Sequence, residues 1–450
     1  MRISAFYCNT LFHFGKSFNT KFLKRKPRSV CNLHQYAPKI HVTPTHALID
    51  EEVQIVTNGL HPGQKVTLFA HMVEAKRQYG SCGQYIADDK GVVDTSKNDS
   101  QGGTFEGVEP MGLFWSMLIR PKTSIRRLSK EDIMVPYDVT IDVLDGFYDF
   151  GDKLWSSGEI QCLTTGQLLR SYSKLGIKRI PVEEDGLHGL IFLPPGDGPF
   201  PAVIDIFGFT RESNEFRSAL LASHGIASFV IRYIGYKDLP RTIEDIDYNY
   251  FLKAFDYLAS HPKVDKTALG GVSTCVGGAW LFLIASKRPA MKCLVTVNGV
   301  LSPYGSRQTV EGEDIVPADY DLNDATFIDG MMAMTSMYFP DFAKLVRPAW
   351  RHGAKILMIQ GLDDKCGNPN SLRYLRPFIP KEFLNSVTMV GYPGTGHLLE
   401  PPHAPHSLSN YNPYFKKHLL WGGDPKLHAR AQEDSWPRIL SFLHQHLRSG

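Results

Sequence analysis

Ser273 and Cys275 sit in a run of small residues, Gly270-Gly271-Val272-Ser273-Thr274-Cys275-Val276-Gly277-Gly278, that closes one apolar stretch and opens another. A nucleophile lifted on a sharp strand-to-helix turn needs small residues on both sides, because the backbone there passes close to its neighbours. The pattern small-x-nucleophile-x-small fits in two registers. Gly271-x-Ser273-x-Cys275 makes Ser273 the nucleophile, and Ser273-x-Cys275-x-Gly277 makes it Cys275. The second fits better, because Gly277 and Gly278 then open the apolar helix that runs through Ala279 to Ala285. A buried free cysteine after a glycine-rich turn has the same local sequence, so the reading depends on partners elsewhere in the chain.

Those partners follow in order. The apolar run Lys355 to Gln360 reads as a strand and ends in Gly361-Leu362-Asp363-Asp364-Lys365. A second strand, Ser386 to Val390, leads into Tyr392-Pro393-Gly394-Thr395-Gly396-His397. Nucleophile, then an acid after one strand, then His after the next, is the order of the α/β-hydrolase triad. In that chemistry the thiolate of Cys275 attacks a carbonyl carbon and His397 holds and returns the proton. A buried carboxylate fixes the imidazole tautomer and stabilises its cation. Asp363 and Asp364 compete for the acid role, with Asp364 favoured.

The chain resembles the animal acyl-CoA thioesterases and bile-acid-CoA:amino-acid N-acyltransferases over nearly everything after its first forty or so residues. The resemblance rests on Phe105-Glu106-Gly107-Val108-Glu109-Pro110-Met111-Gly112-Leu113-Phe114-Trp115, Leu193-Pro194-Pro195-Gly196-Asp197-Gly198-Pro199-Phe200-Pro201 and Val203-Ile204-Asp205-Ile206-Phe207-Gly208. It continues in Asp238-Leu239-Pro240, Tyr392 to His397 with Glu400-Pro401-Pro402, and Trp421-Gly422-Gly423-Asp424-Pro425. It implies that Cys275 carries the acyl group, Asp364 is the acid and His397 the base. Thioesterases of the family mostly carry Ser at the elbow, whereas the N-acyltransferases carry Cys, as here. The resemblance therefore implies an acyl-CoA-cleaving enzyme, with hydrolysis of fatty acyl-CoA as the leading reading. Transfer to glycine or taurine is the alternative, and a non-catalytic acyl-CoA-binding protein the third. After Gly208 the family usually continues with glycines, but here Phe209-Thr210-Arg211-Glu212-Ser213-Asn214 follows. Backbone N–H groups of Val276 and Phe209 are the expected oxyanion donors, since backbone donors survive side-chain changes.

The elements that position these residues are legible in outline. Between about 40 and 165, β-rich runs such as Val53 to Thr57, Val66 to Ala70 and Val139 to Val143 alternate with Gly, Pro and Asn, which predicts an all-β sandwich. A polar, basic linker is expected near 165–185. From 180 to 450, apolar strands (Ala202 to Gly208, Ala227 to Tyr233) alternate with helical stretches (Asn249 to His261), so an α/β-hydrolase domain with a mostly parallel sheet is predicted. Residues 303–345 break that rhythm and read as a lid-like insertion.

Composition narrows the remaining possibilities. The chain has 450 residues, of which 43% are hydrophobic and 21% charged, with a net charge of +3. These values are ordinary for a globular chain and give no footing for nucleic-acid binding. No apolar run reaches the roughly 18 residues of a membrane span. Seven cysteines, an odd number, occur with no C-x-x-C pair, which argues against a disulfide framework and a zinc site and suits a reducing compartment. His397, His403 and His406 lie close together, but Pro401, Pro402 and Pro405 preclude one helix presenting them; no metal or cofactor is expected. Before Asp50 no acidic residue occurs, while Arg2, Lys16, Lys21, Lys24, Arg25, Lys26, Arg28 and Lys39 are basic. Residues 1–38 thus read as a basic mitochondrial targeting segment, with cytosol or peroxisome as alternatives. Acyl length and oligomeric state leave no trace in the sequence.

Overall fold

The computed structural model describes residues 37–450 apart from 121–126, 157, 159, 209–213, 320–321, 336–343, 400 and 448–450. The proposed targeting segment, save its last two residues, and Phe209 lie outside the described residues.

Eight strands form the central sheet: β1 Lys178–Glu184, β2 Leu187–Leu193, β3 Phe200–Ile206, β4 Ala227–Arg232, β5 Val264–Thr274, β6 Met291–Val297, β7 Lys355–Gly361 and β8 Val387–Tyr392. Their spatial order is β1-β2-β4-β3-β5-β6-β7-β8. Only β2 runs antiparallel to its neighbours; from β4 to β8 every pairing is parallel. This is an α/β-hydrolase sheet. Its central strands are apolar on both faces, as strands covered on both sides must be. Helices α1 (Glu215–Ser223) and α4 (Pro425–His446) pack with Val203, Val272, Val295 and Leu357 on one face. Helices α2 (Asn249–Ser260) and α3 (Gly277–Lys287) pack with Ile204, Leu294 and Met358 on the other. The one-residue offset between the two sets is the period-two alternation of a strand.

Ahead of this sheet lies a six-stranded one, ordered His46–Leu48, Cys162–Ser171, Tyr137–Asp145, Lys65–Glu74, Arg77–Ile86 and Leu118–Arg120. All its pairings are antiparallel except that of the first two strands. A three-stranded sheet (Lys39–Thr43, Gln54–Asn58, Val93–Asp94) packs over it so closely that a β-carbon at Gly166 would lie 3.1 Å from both Ile40 and Val42. The expected linker at 165–185 is shorter than its composition suggested, since strand Cys162–Ser171 reaches past 165 and β1 begins at Lys178. The basic residues behind that expectation are Lys174 and Lys178, and Lys178 already opens β1; within the first strand the Arg170 guanidinium is buried, where it donates to the carbonyls of Ile49 (2.5 Å) and Glu51 (2.6 Å).

Helix α4 joins the two sheets. Asp424 caps it, accepting from the N–H groups of Lys426 and Leu427 at 3.0 Å, with Pro425 at the first helical position. Its Lys426 and Arg430 pair with buried Glu109 at 3.0 and 2.6 Å, and Trp436 donates to Asp50 at 2.7 Å. The described residues of segment 303–345 form no strand of the central sheet. The segment's strands Thr326–Ile328 and Met331–Ala333 join Lys417–Leu420 and Ser409–Asn412 in a small separate sheet. Among the described residues, no helix is long and apolar enough to cross a membrane.

Candidate functional site

Cys275 stands between β5 and α3 with φ of +60°. A β-carbon makes that conformation costly, and it persists only where the surroundings over-determine it. Here the Cys275 carbonyl accepts from Gly278 (3.0 Å) and Val300 (2.9 Å), and its N–H donates to Val297 (3.2 Å). Glycine is required in the turn and in the loop facing it. A β-carbon at Gly277 would lie 2.2 Å from the Ile206 carbonyl oxygen, and one at Gly208 would lie 3.1 Å from the Cys275 sulfur. Ser273 is fully buried within β5, its hydroxyl donating weakly to Val295 at 3.4 Å. The turn projects the residue at 275, and the one at 273 stays in the sheet.

Beneath the turn, Asp205 and Arg217 form a buried ion pair, with Arg217 also donating to Thr274 Oγ1 at 2.6 Å. This ties α1 and β3 to the residue preceding Cys275.

His397 and Asp364 are both buried, and His397 Nδ1 lies 2.8 Å from Asp364 Oδ2. A carboxylate only accepts, so Nδ1 carries the proton and Nε2 is left for the thiol. Asp364 Oδ1 accepts from the N–H groups of Cys366 and Gly367, each at 2.8 Å. Asp363 faces elsewhere, accepting from Gly423 N–H at 2.9 Å and pairing with Lys365 at 2.7 Å. Asn298 sets the spacing of the two loops: it accepts from Gly361 N–H (2.6 Å) and donates to the carbonyls of Gly396 (3.1 Å) and His397 (2.7 Å). The Trp421 ring stacks on His397 with centroids 5.4 Å apart. Of the neighbouring histidines, His406 hydrogen-bonds the Gly422 carbonyl and His403 faces Glu433, so the three rings do not converge.

The electrostatics follow from this packing. A hydrogen bond from the Cys366 thiol is the strongest influence holding Cys275 well below the ordinary thiol range; burial opposes it, and the His397 charge and the Val276 N–H add to it. Burial, then the bond to Cys275 and its charge, push the Cys366 thiol well above that range. Burial disfavours the imidazolium, but the Asp364 carboxylate and the Cys275 thiolate outweigh it and raise His397 to about 10. Both shifts favour a thiolate–imidazolium pair over a neutral thiol and imidazole, and a thiolate so paired is an activated nucleophile.

Thr274, Cys275, Cys366 and His397 border a cavity of about 710 Å³. Met334, Ile234, Leu419 and Trp421 give it apolar wall, and Arg77, Arg241 and His418 also line it. An adjacent cavity of about 650 Å³ shares Arg127, Ser129 and Asn214 with it but does not reach Cys275.

Known proteins match this chain in two blocks. Residues 50–184 match the acyl-CoA thioester hydrolase/BAAT N-terminal region, and 246–449 match the BAAT/acyl-CoA thioester hydrolase C-terminal model. The chain belongs to the acyl-CoA thioester hydrolase/BAAT family. A Mus musculus bile acid-CoA:amino acid N-acyltransferase is 36% identical over 91% of this chain and 98% of its own. Acyl-coenzyme A thioesterase 5 of Mus musculus is 33% identical over 91% and 97% respectively. The mitochondrial acyl-coenzyme A thioesterase 2 of Homo sapiens is 32% identical over 88% and 82%.

The structure brings Cys275, Asp364 and His397 together. The sequence reading missed Asn298, Cys366 and the stacking of Trp421. Asn298 lies in Val297-Asn298-Gly299, directly after a strand end, and its φ of +50° is the kind of left-handed position Asn tolerates. Cys366, two residues after Asp364, left no spacing signal at all.

Proposed function

We propose that this protein cleaves acyl-CoA thioesters through an acyl-enzyme on Cys275. The observation that carries the reading is the Cys275 thiol facing a buried His397–Asp364 pair at a cavity with apolar walls, in a chain of this family. The Cys275 thiolate attacks the thioester carbonyl carbon, and the oxyanion donors of this reading are the backbone N–H groups of Val276 and Phe209. Collapse breaks the bond to CoA sulfur, which leaves with the proton of His397. His397 then takes a proton from the acceptor, which attacks the Cys275 thioester and releases the thiolate. With water as acceptor the product is a fatty acid, and this hydrolysis is our first reading. Segment 303–345 contributes Met334 to the cavity wall and acts as a lid over the acyl group. Arg77 and Arg241 supply positive charge for the phosphates of CoA.

The second reading, transfer to glycine or taurine, is favoured by the identity of the nucleophile. A thioester is more susceptible to amines relative to water than an oxygen ester, so cysteine suits an amine acceptor. Free CoA and acyl products should be measured with purified protein and saturated acyl-CoA esters, with and without millimolar glycine or taurine. CoA release that needs no amine supports hydrolysis. Amide as the dominant product overturns hydrolysis and keeps the acyl-enzyme, and absence of turnover and of acyl-Cys275 by mass spectrometry overturns both. The basic composition of residues 1–38 supports a mitochondrial address, which import of the full chain into isolated mitochondria tests.

A further inference from the structure

The cysteine at position 366 has no part in the acyl-transfer steps above, yet it lies against the two groups that do the chemistry. The ligand atoms of Cys275, Cys366 and His397 all lie within 4.8 Å of one another. Two sulfurs on one tetrahedral zinc stand roughly 3.8 Å apart, from Zn–S distances of about 2.3 Å, so side-chain rotations that move the donors by up to about one ångström close the site. The supporting shell is already in place. A zinc-bound histidine normally donates its other ring N–H to a carboxylate, and His397 Nδ1 does so to Asp364 at 2.8 Å. That carboxylate is itself held by the N–H groups of Cys366 and Gly367, at 2.8 Å each. The cavity beside Cys275 leaves the fourth ligand position to water or another small donor.

We propose that Cys275, Cys366 and His397 form a Cys2His site for a soft divalent cation, zinc by donor chemistry, whose occupancy blocks the nucleophile. The donors are 91 and 31 residues apart, with no C-x-x-C pair, so the sequence argument against a zinc site did not reach this arrangement. Binding exchanges protons for metal. The reduced site holds one proton on Cys366 and one shared between Cys275 and His397, and both leave as two Zn–S bonds and one Zn–N bond form. The inhibited state therefore cannot accept an acyl group, because the sulfur lone pair and the base nitrogen are both committed to the metal. Chelation of the metal restores both. A cysteine that served only to fill space among Met332, Met334, Leu419 and Trp421 would have no such effect.

The test uses the full chain, reduced and freed of metal, titrated with cobalt(II) as a spectroscopic stand-in for zinc. The expected result is one ion per chain, with tetrahedral visible bands and near-ultraviolet charge-transfer absorption from two thiolates, displaced by zinc. Cys366→Ser should halve the charge-transfer intensity and weaken zinc inhibition of thioester cleavage by more than about tenfold. His397→Gln provides the check if the serine variant folds poorly, because it should keep the charge-transfer bands and weaken binding. An octahedral spectrum without charge transfer, or one that Cys366→Ser leaves unchanged, overturns the proposal. The inhibition readout rests on the proposed thioester cleavage, whereas the cobalt(II) bands are read without any substrate and stand or fall independently of it.

Discussion

Replacing Asp364 by Asn separates orientation from mere proximity. The carboxylate accepts on one oxygen from two backbone N–H groups and on the other from His397, all at 2.8 Å. An amide has only one accepting end. With that end toward the backbone, its NH2 faces His397 Nδ1, which must then accept, so the ring proton moves to Nε2 and the base is disabled. With the amide reversed, its NH2 faces two buried backbone donors, each left unsatisfied at a cost of about 1–3 kcal/mol. The productive tautomer is therefore disfavoured by at least about 2 kcal/mol, roughly thirtyfold, before the lost charge opposite the imidazolium is counted. A triad precedent of about 10⁴ sets the upper end, and we expect kcat/KM to fall by about 10² to 10⁴. Asp363→Asn keeps its bond from Gly423 and loses only a partly exposed Lys365 pair, about 1 kcal/mol or less of stability. The assay is spectrophotometric release of CoA thiol from a saturated acyl-CoA, with circular dichroism confirming the fold. Equal losses in the two variants, or the larger loss at Asp363, would refute the assignment.

Three further outcomes follow from the same geometry. Cys275→Ala should abolish turnover while Ser273→Ala, buried in β5, keeps most of it; an acyl group found on Ser273 by peptide mass spectrometry reverses the assignment. Alkylation of Cys275 by iodoacetamide should stay fast well below the ordinary thiol value of about 8.5, because a lowered thiol remains ionised as pH falls, and the imidazolium partner persists until His397 titrates near 10. His397→Gln should restore a steep loss of rate below that value, and a steep loss already in the unmodified protein counts against the ion pair. Gly277→Ala must displace a β-carbon that would lie 2.2 Å from the Ile206 carbonyl, which should cost about 1–3 kcal/mol in thermal unfolding and most of the activity; an unchanged melting curve would contradict the close approach.

The parts of this site visible in the sequence are those that chemistry forces into a fixed local pattern. A glycine had to follow Cys275 because the Ile206 carbonyl crowds position 277, and Asp364 and His397 follow strand ends. Asn298, Cys366 and Trp421 act across loops distant in the chain, so no periodicity or spacing marks them. The stretch between the sheets is polar and basic at Lys174 and Lys178, yet Lys178 already begins β1, because an edge strand can carry charge. Arg170 satisfies two carbonyls from inside the protein, and a buried arginine reads as a surface residue until its partners are seen.

The groups that make Cys275 reactive come from the far end of the chain. Strands β7 and β8, the stacked Trp421, and α4, whose His428 accepts from the Gly396 N–H, all lie after residue 350. During synthesis at about 5–20 residues per second, the thiol leaves the ribosome many seconds before its base, acid and supporting helix. Throughout that interval the thiol has neither the base nor the acid beside it. On the proposed reading, assisted acylation of Cys275 therefore begins only after these late elements have folded around it.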